Sequence, residues 1–464
     1  MRPRIGFWTA LFALWFCASA TASGIFSRDT LARLAALPSG HSLIVTGFPV
    51  GSGQDTTIRF ERVEVYAPDA HVYVVDASGK RELPRSDLVF LQGRTDHSTS
   101  NNLAISLKFD GTFVQGSGSG PQGAFTLEAM SESGGGVVIS ARPLESTLPS
   151  PDAFQSSCGN QQLNLVSPAP ATTVDLTTQL RAAISGNALQ STQALRLATI
   201  AIDTDSKFMA SLFSNNTANA TNWIASMFNT MNTMYQTDLN VQLQIGTTIL
   251  RTSSVGDPYT SMGSSSASQS DLDLFASYWR ANEAPVSRSF AILLSGAIPS
   301  SPSSCSASGI AWINQYCQKG FTSGTDTVGS YSVNKVCTSI NIDPNGTFNA
   351  RIVGHEIGHN FGADHTHCTN ASNGNSPAAS NTIDQCYAGE SGRGCYTGTT
   401  SCPASGPGSP KGTIMSYCNL NGCGQNVLQF HPTQVSFVLQ PYITANTPSC
   451  LAIDDTIFKN GFEP

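Results

Sequence analysis

Between residues 43 and 140 apolar and polar side chains alternate in short runs broken by glycine-rich stretches. The clearest are 57–65 (Thr-Ile-Arg-Phe-Glu-Arg-Val-Glu-Val) and 71–75, with others at 43–46, 88–91, 104–109, 112–115, 125–128 and 137–140. A period of two sends successive side chains to opposite faces of a strand, so residues 23–150 are expected to form a β-rich domain of antiparallel strands. From Pro143 to about Gln193 the pattern dissolves into Pro, Ser, Thr and Gln, with Pro149, Pro151, Pro168 and Pro170 interrupting it. This is linker composition, assigned here to residues 151–193. Beyond Ala194 the period changes again. Residues 195–202 read as a buried strand, and 220–235 carry apolar side chains at 223, 224, 227, 228, 231, 234 and 235, a helical spacing. Strands at 240–245, 289–294 and 309–314 and helices at 272–280, 350–361 and 434–442 follow. Strands alternating with helices predict an α/β domain with a mixed sheet over 194–451.

The first 22 residues stand apart from this pattern. Arg2 and Arg4 precede an apolar run from Ile5 to Cys17, and Ala18-Ser19-Ala20-Thr21-Ala22 offers small-residue cleavage sites. Residues 1–22 therefore read as a secretory signal peptide, and no other run is long enough to span a bilayer. A secreted, extracellular protein without a membrane anchor is expected, and it is read as a monomer. Charged residues make up only 12% of the 464, and the formal net charge is −7. An acidic chain without a basic stripe argues against nucleic acid or an anionic membrane as partner.

Twelve cysteines in an exported chain predict disulfides. Cys17 falls in the signal segment. Ten of the rest lie between 305 and 450, enough for five bridges in one domain, and Cys158 stands alone upstream.

The chemistry concentrates in His355-Glu356-Ile357-Gly358-His359-Asn360-Phe361-Gly362-Ala363-Asp364-His365, where three of the eight histidines fall within eleven residues. Residues four apart share one helix face, so His355 and His359 can direct ring nitrogens at one ion with Glu356 beside them. A catalytic zinc site uses three protein ligands and keeps a position for water. Gly362 can take positive φ, end the helix and turn the chain so that His365 becomes the third ligand. One Zn2+ is implied; no sequence feature calls for Ca2+. The reaction this predicts is hydrolysis of peptide bonds by zinc-activated water with Glu356 as general base. Protein or peptide substrates are its expected partners.

This string is the H-E-x-x-H-x-x-G-x-x-H signature, and the chain resembles the metzincin zinc peptidases. Runs at 197–203, 235–241, 274–280 and 309–311 are similar to the reprolysin or adamalysin branch, over about 194–451. The resemblance implies a turn methionine beneath the metal, assigned to Met415 in Gly412-Thr413-Ile414-Met415-Ser416-Tyr417-Cys418. It also implies that strand 309–314 is the sheet edge on which an extended peptide substrate lies. Metzincin propeptides hold a thiolate on the metal until they are removed, and Cys158 is the candidate for such a switch, which would make the chain an inactive precursor. The other reading of Cys158 is a thiol that pairs with one of the ten others or with a second chain. Two positions depart from the branch. Thr366 follows the third histidine where reprolysins usually carry aspartate. Tyr417 lies two after Met415, as in astacins and serralysins, where such a tyrosine stabilises the transition state; core packing is its alternative role. A secreted zinc-containing binding protein, held inactive by its N-terminal segment, is the rival function. Residues 452–464 form a tail of unassigned use.

Overall fold

The structure is a computed structural model that describes residues 22–51, 56–95, 102–120, 123–132, 136–150, 152–160, 194–404 and 411–454. The expected signal peptide lies outside these residues except for Ala22. So do most of the 151–193 stretch and most of the tail.

The alternating runs of the N-terminal half form an eight-stranded antiparallel sheet. Its members are β1 (Ala22–Phe26), β2 (Ser42–Phe48), β3 (Thr56–Val63), β6 (Val89–Thr95), β7 (Asn102–Leu107), β8 (Phe113–Gly120), β9 (Gly123–Ser131) and β10 (Val137–Pro143), in the order β1-β10-β9-β8-β7-β6-β3-β2. One face buries Phe48, Phe60, Leu91, Ile105, Phe125 and Leu127 against Leu31 and Leu34 of a short helix, α1 (Arg28–Ala35). Burying each such side chain stabilises the fold by roughly 1.5–3 kcal/mol. Ser27 starts α1 by accepting the N–H of Thr30 (3.1 Å). Neither α1 nor β1 is visible as a period, because both are too short.

Two strands between β3 and β6 go elsewhere. β4 (Val72–Asp76) and β5 (Gly79–Leu83) join a second sheet with β11 (Phe154–Cys158), β12 (Arg196–Thr204), β13 (Val241–Arg251), β14 (Phe290–Ser295), β15 (Cys305–Ala311) and β18 (Tyr331–Lys335), ordered β11-β15-β18-β14-β12-β13-β4-β5. β19 (Ala452–Ile453) pairs antiparallel with Arg196 and Leu197, and a small hairpin, β16 and β17 (Phe321–Ser323, Asp326–Val328), lies apart. The second sheet is mixed, since β12, β13 and β14 run parallel while β15 and β18 are antiparallel. The expected division at residue 150 is therefore not a division between sheets. Segments 72–83 and 154–158 cap the two ends of the second one. The residues around Cys158, read as linker, are a strand.

The helices of eight residues or more in the second unit are α2 (Ser206–Phe213), α3 (Thr217–Leu239), α4 (Gln269–Asn282) and α5 (Thr347–Asn360), and the helix expected at 434–442 is a run of short α and π turns from Pro432 to Ala445. Ser268 and Asp271 form a capping box at the start of α4. Helix α3 lies between the two sheets. Its apolar side chains Ile224, Met227, Phe228, Met231 and Tyr235 join the core of the second unit. The face toward the first sheet is small and polar: Ser226 meets Ser106 (2.9 Å), Thr230 meets Ser117 (2.8 Å), and Asn229 donates to the carbonyls of Leu91 and Ile105. Under α4 the fully buried Asp203 accepts from Arg251, Tyr259 and Trp279, so its charge is paired and hydrogen-bonded.

Five disulfides join the ten downstream cysteines: Cys305–Cys337, Cys317–Cys450, Cys368–Cys395, Cys386–Cys418 and Cys402–Cys423. Three of them tie the stretch after His365, which has little regular structure of its own. Cys158 is free and buried. No helix among the described residues is long and apolar enough to cross a membrane.

Candidate active site

Helix α5 presents His355 and His359 one turn apart, and it ends at Asn360. Gly362 takes φ +112°, and the chain swings back so that His365 faces the helix. His359 Nε2 lies 3.1 Å from Nε2 of His355 and 3.2 Å from Nε2 of His365. The other ring nitrogens are all engaged. Nδ1 of His355 donates to the carbonyl of Ile414 (2.7 Å), that of His359 to the carbonyl of Ala363 (2.7 Å), and that of His365 to the Glu390 carboxylate (2.9 Å). Carbonyls and carboxylates only accept, so each Nδ1 bears the proton and each Nε2 is left with a lone pair. Three lone pairs converging at this distance repel one another unless a cation lies between them. This donor set fits a zinc ion, which takes neutral imidazole nitrogens. Burial, reinforced by His365, pushes the pKa of His355 down to about 3, so the ring is ready to act as a neutral ligand.

A fourth candidate ligand arrives from the N-terminal side. Sγ of Cys158 lies 3.5 Å from His359 Nε2 and 3.6 Å from Glu356 Oε2, and it groups with the three histidines as a potential metal-binding set. Glu356 is fully buried and its Oε1 has no hydrogen-bond partner. Burial pushes its carboxyl well up, which the thiol hydrogen bond only partly opposes. Strand β15 passes so close that a Cβ on Gly309 would sit 2.3 Å from Glu356 Cγ, and β15 is not the sheet edge expected of residues 309–314, because β11 pairs along its outer side.

Strand β11 lies in a trough. Along one side it pairs parallel with β15, Cys158 opposite Gly309. Along the other, alternate carbonyls are held by side chains: Gln425 donates to Phe154 O (3.2 Å), Asn419 to Ser156 O (3.1 Å) and Tyr417 to Cys158 O (2.8 Å). The Tyr417 hydroxyl is thus engaged with backbone, while its ring packs on His365 at 4.3 Å between centroids. Met415 is fully buried in the turn after Thr413. Its carbonyl accepts the N–H of Thr366 (3.1 Å), and the preceding carbonyl holds His355. Thr366, standing where an aspartate was expected, donates to Ser416 Oγ (2.9 Å), which in turn donates to Asp384 (2.8 Å).

Glu390 escaped the sequence reading. Its Oε2 accepts from His365 (2.9 Å), His367 (3.0 Å) and Arg393 (3.3 Å). Burial alone would raise its pKa, but the two histidines hold it well below the usual carboxylate range. No spacing rule connects it to the histidines. The only available signal was scarcity, for Asp384 and Glu390 are the acidic residues of the stretch 366–423. Asn419 and Gln425 were missed for the same reason.

A reprolysin model of metallo-peptidase family M12 matches residues 194–430. Among solved structures, metalloproteinase-II from Bacteroides fragilis is similar at 12% identity, with 79% of this chain and 94% of that chain covered and a TM-score of 0.37. A chain from a chaperone-substrate complex aligns at 14% identity over 54% of this chain and 36% of that one, with a TM-score of 0.27. No curated protein matches.

Proposed function

Because the chain belongs to metallo-peptidase family M12, and is thus a metzincin-like, reprolysin-type zinc metalloprotease, we propose that it is a secreted endopeptidase made as an inactive precursor. In this reading residues 1–22 are a signal peptide, 23–150 a propeptide domain, 151–193 the segment carrying the latch, 194–451 the catalytic domain and 452–464 a tail. The observation that carries the reading is the convergence of three Nε2 atoms at 3.1 and 3.2 Å with every Nδ1 already spoken for. The five disulfides are consistent with an extracellular protein.

His355, His359 and His365 would hold the ion, and Met415 would be the turn residue beneath it. Zinc, when bound, supplies a Lewis acid that makes water a nucleophile near neutral pH and polarises a carbonyl. The remaining work belongs to the chain. Glu356 takes the proton of the attacking water and passes it to the departing amine nitrogen. The β15 strand and the donors Gln425 and Asn419 hold an extended peptide by its backbone, as they hold β11, which favours unfolded segments and leaves side chains to tune the fit. Tyr417, freed from the carbonyl of Cys158, donates to the substrate carbonyl oxygen as it gains negative charge. In the precursor Cys158 would be the fourth residue to hold the ion, and β11 fills the trough.

The test uses Glu356→Ala in the processed enzyme. Casein hydrolysis is expected to fall by more than about 100-fold while zinc content by atomic absorption stays at one ion per chain, and a chelator is expected to silence the native enzyme. Wild-type turnover in the alanine variant would sink the assignment of Glu356.

A further inference from the structure

Beyond the histidines the trough opens into a pocket lined by Ser156, Cys158, Arg351, Tyr417, Asn419 and Gln425. With β11 in place its free volume is about 20 Å3, room for about one water. Arg351 sits one helical turn before His355 on α5 and is 6% exposed. It donates to Gln425 Oε1 (3.2 Å), its guanidinium lies 5.3 Å from the Phe348 ring, and its buried Nε has no partner. A planar fork of N–H donors, buried beside the reacting centre and lacking a carboxylate, is an incomplete recognition site.

Two acids pull on the charge of this arginine without hydrogen-bonding to it. Asp343 belongs to the catalytic unit, but its oxygens are taken by the N–H groups of Phe348 (3.1 Å) and Asn349 (2.8 Å). The other, Glu145, belongs to the N-terminal segment. Its Oε1 accepts from Lys411 (2.6 Å) and from the Gln425 N–H (3.0 Å), so it converges on the residue that holds Arg351. When that segment leaves, Lys411 loses the carboxylate it is paired with, and the Gln425 backbone N–H, next to the side chain that holds Arg351, loses its acceptor. Burial already pushes Arg351 down to about 10, a measure of how thinly it is compensated.

We propose that this pocket is a subsite for an acidic side chain. The enzyme cleaves peptides carrying Asp or Glu next to the scissile bond, and Arg351 reads the carboxylate. The inference rests on the peptidase reading above and names its substrate class.

The test digests a proteome-derived peptide library with the processed enzyme, sequences the products, and then compares matched peptides differing only by Asp or Asn at the positions flanking the cut. Acidic residues are expected to be enriched beside the cleaved bond. Arg351→Gln is expected to lower the Asp-to-Asn ratio of kcat/KM about tenfold or more, with Arg351→Lys between. Cleavage without acidic enrichment, or an equal loss on both peptides, overturns the proposal. If Arg351→Gln does not fold, the wild-type Asp-to-Asn ratio decides alone, and a ratio near one overturns it. Absence of cleavage of any peptide overturns the peptidase reading and this subsite with it.

Discussion

Glu390 shows how much a single side chain outside the histidine string can decide. By accepting from Nδ1 of His365 it fixes the tautomer that leaves Nε2 with a lone pair, and by accepting from His367 and Arg393 it is itself held in place. Replacing it with glutamine keeps the shape but removes the charge, and an amide can present its N–H to the ring instead of its oxygen. Glu390→Gln is therefore expected to weaken zinc binding by about 10- to 100-fold, read as the zinc lost at equilibrium to a buffered chelator. Unchanged retention would mean that His365 needs no such partner. Gly309 works at the same scale, since any larger residue would collide with Glu356.

Helix α5 supplies two histidines, the glutamate and Arg351, so its start governs the register of the whole site. Gly346 at its N-cap position offers no side chain, and Asp343 does the capping from outside by accepting the N–H groups of Phe348 and Asn349. Burial pushes the Asp343 carboxyl up to about 6, against the pull of those two donors. A carboxyl whose folded pKa exceeds its unfolded value of 3.8 contributes stability that is fully present below about pH 4 and is lost as pH rises through about 6. The shift corresponds to at most about 3 kcal/mol. The Tm of the wild type relative to Asp343→Asn should accordingly decline between pH 4 and 7, and a difference that stays flat over that range would show an ordinary carboxyl. Helix α3 makes the matching argument on its other face. Ser226, Asn229 and Thr230 meet the first sheet through hydrogen bonds that water can replace.

At the scale of the molecule, the N-terminal segment grips the second sheet at both ends, with β11 beside β15 and β4 beside β13. Backbone hydrogen bonds at two edges, together with the α3 contacts, do not depend on the chain being continuous through 161–193. One cut in that stretch is therefore expected to leave the two pieces co-eluting on size exclusion with peptidase activity still low. Activity should rise when the N-terminal piece is itself digested. Full activity from a nicked complex that still co-elutes would contradict the latch assigned to Cys158 and β11.

Properties that depend on a few neighbouring residues are legible in the sequence. Helical pitch brings His355 and His359 together, a glycine at 362 permits the turn that returns His365, alternation marks the strands of the first sheet, and the odd count singles out Cys158. Each is a consequence of local backbone geometry or of arithmetic. Tertiary structure alone decided the rest: that β4 and β5 complete the second sheet, that Glu390 lies behind His365, that Gln425, Asn419 and Tyr417 form the second wall of the trough, and that Glu145 meets Lys411. These contacts join residues tens to hundreds of positions apart, where no period of helix or strand relates one to the other. Only packing, which brings together whichever surfaces bury apolar area and satisfy their polar groups, selects them.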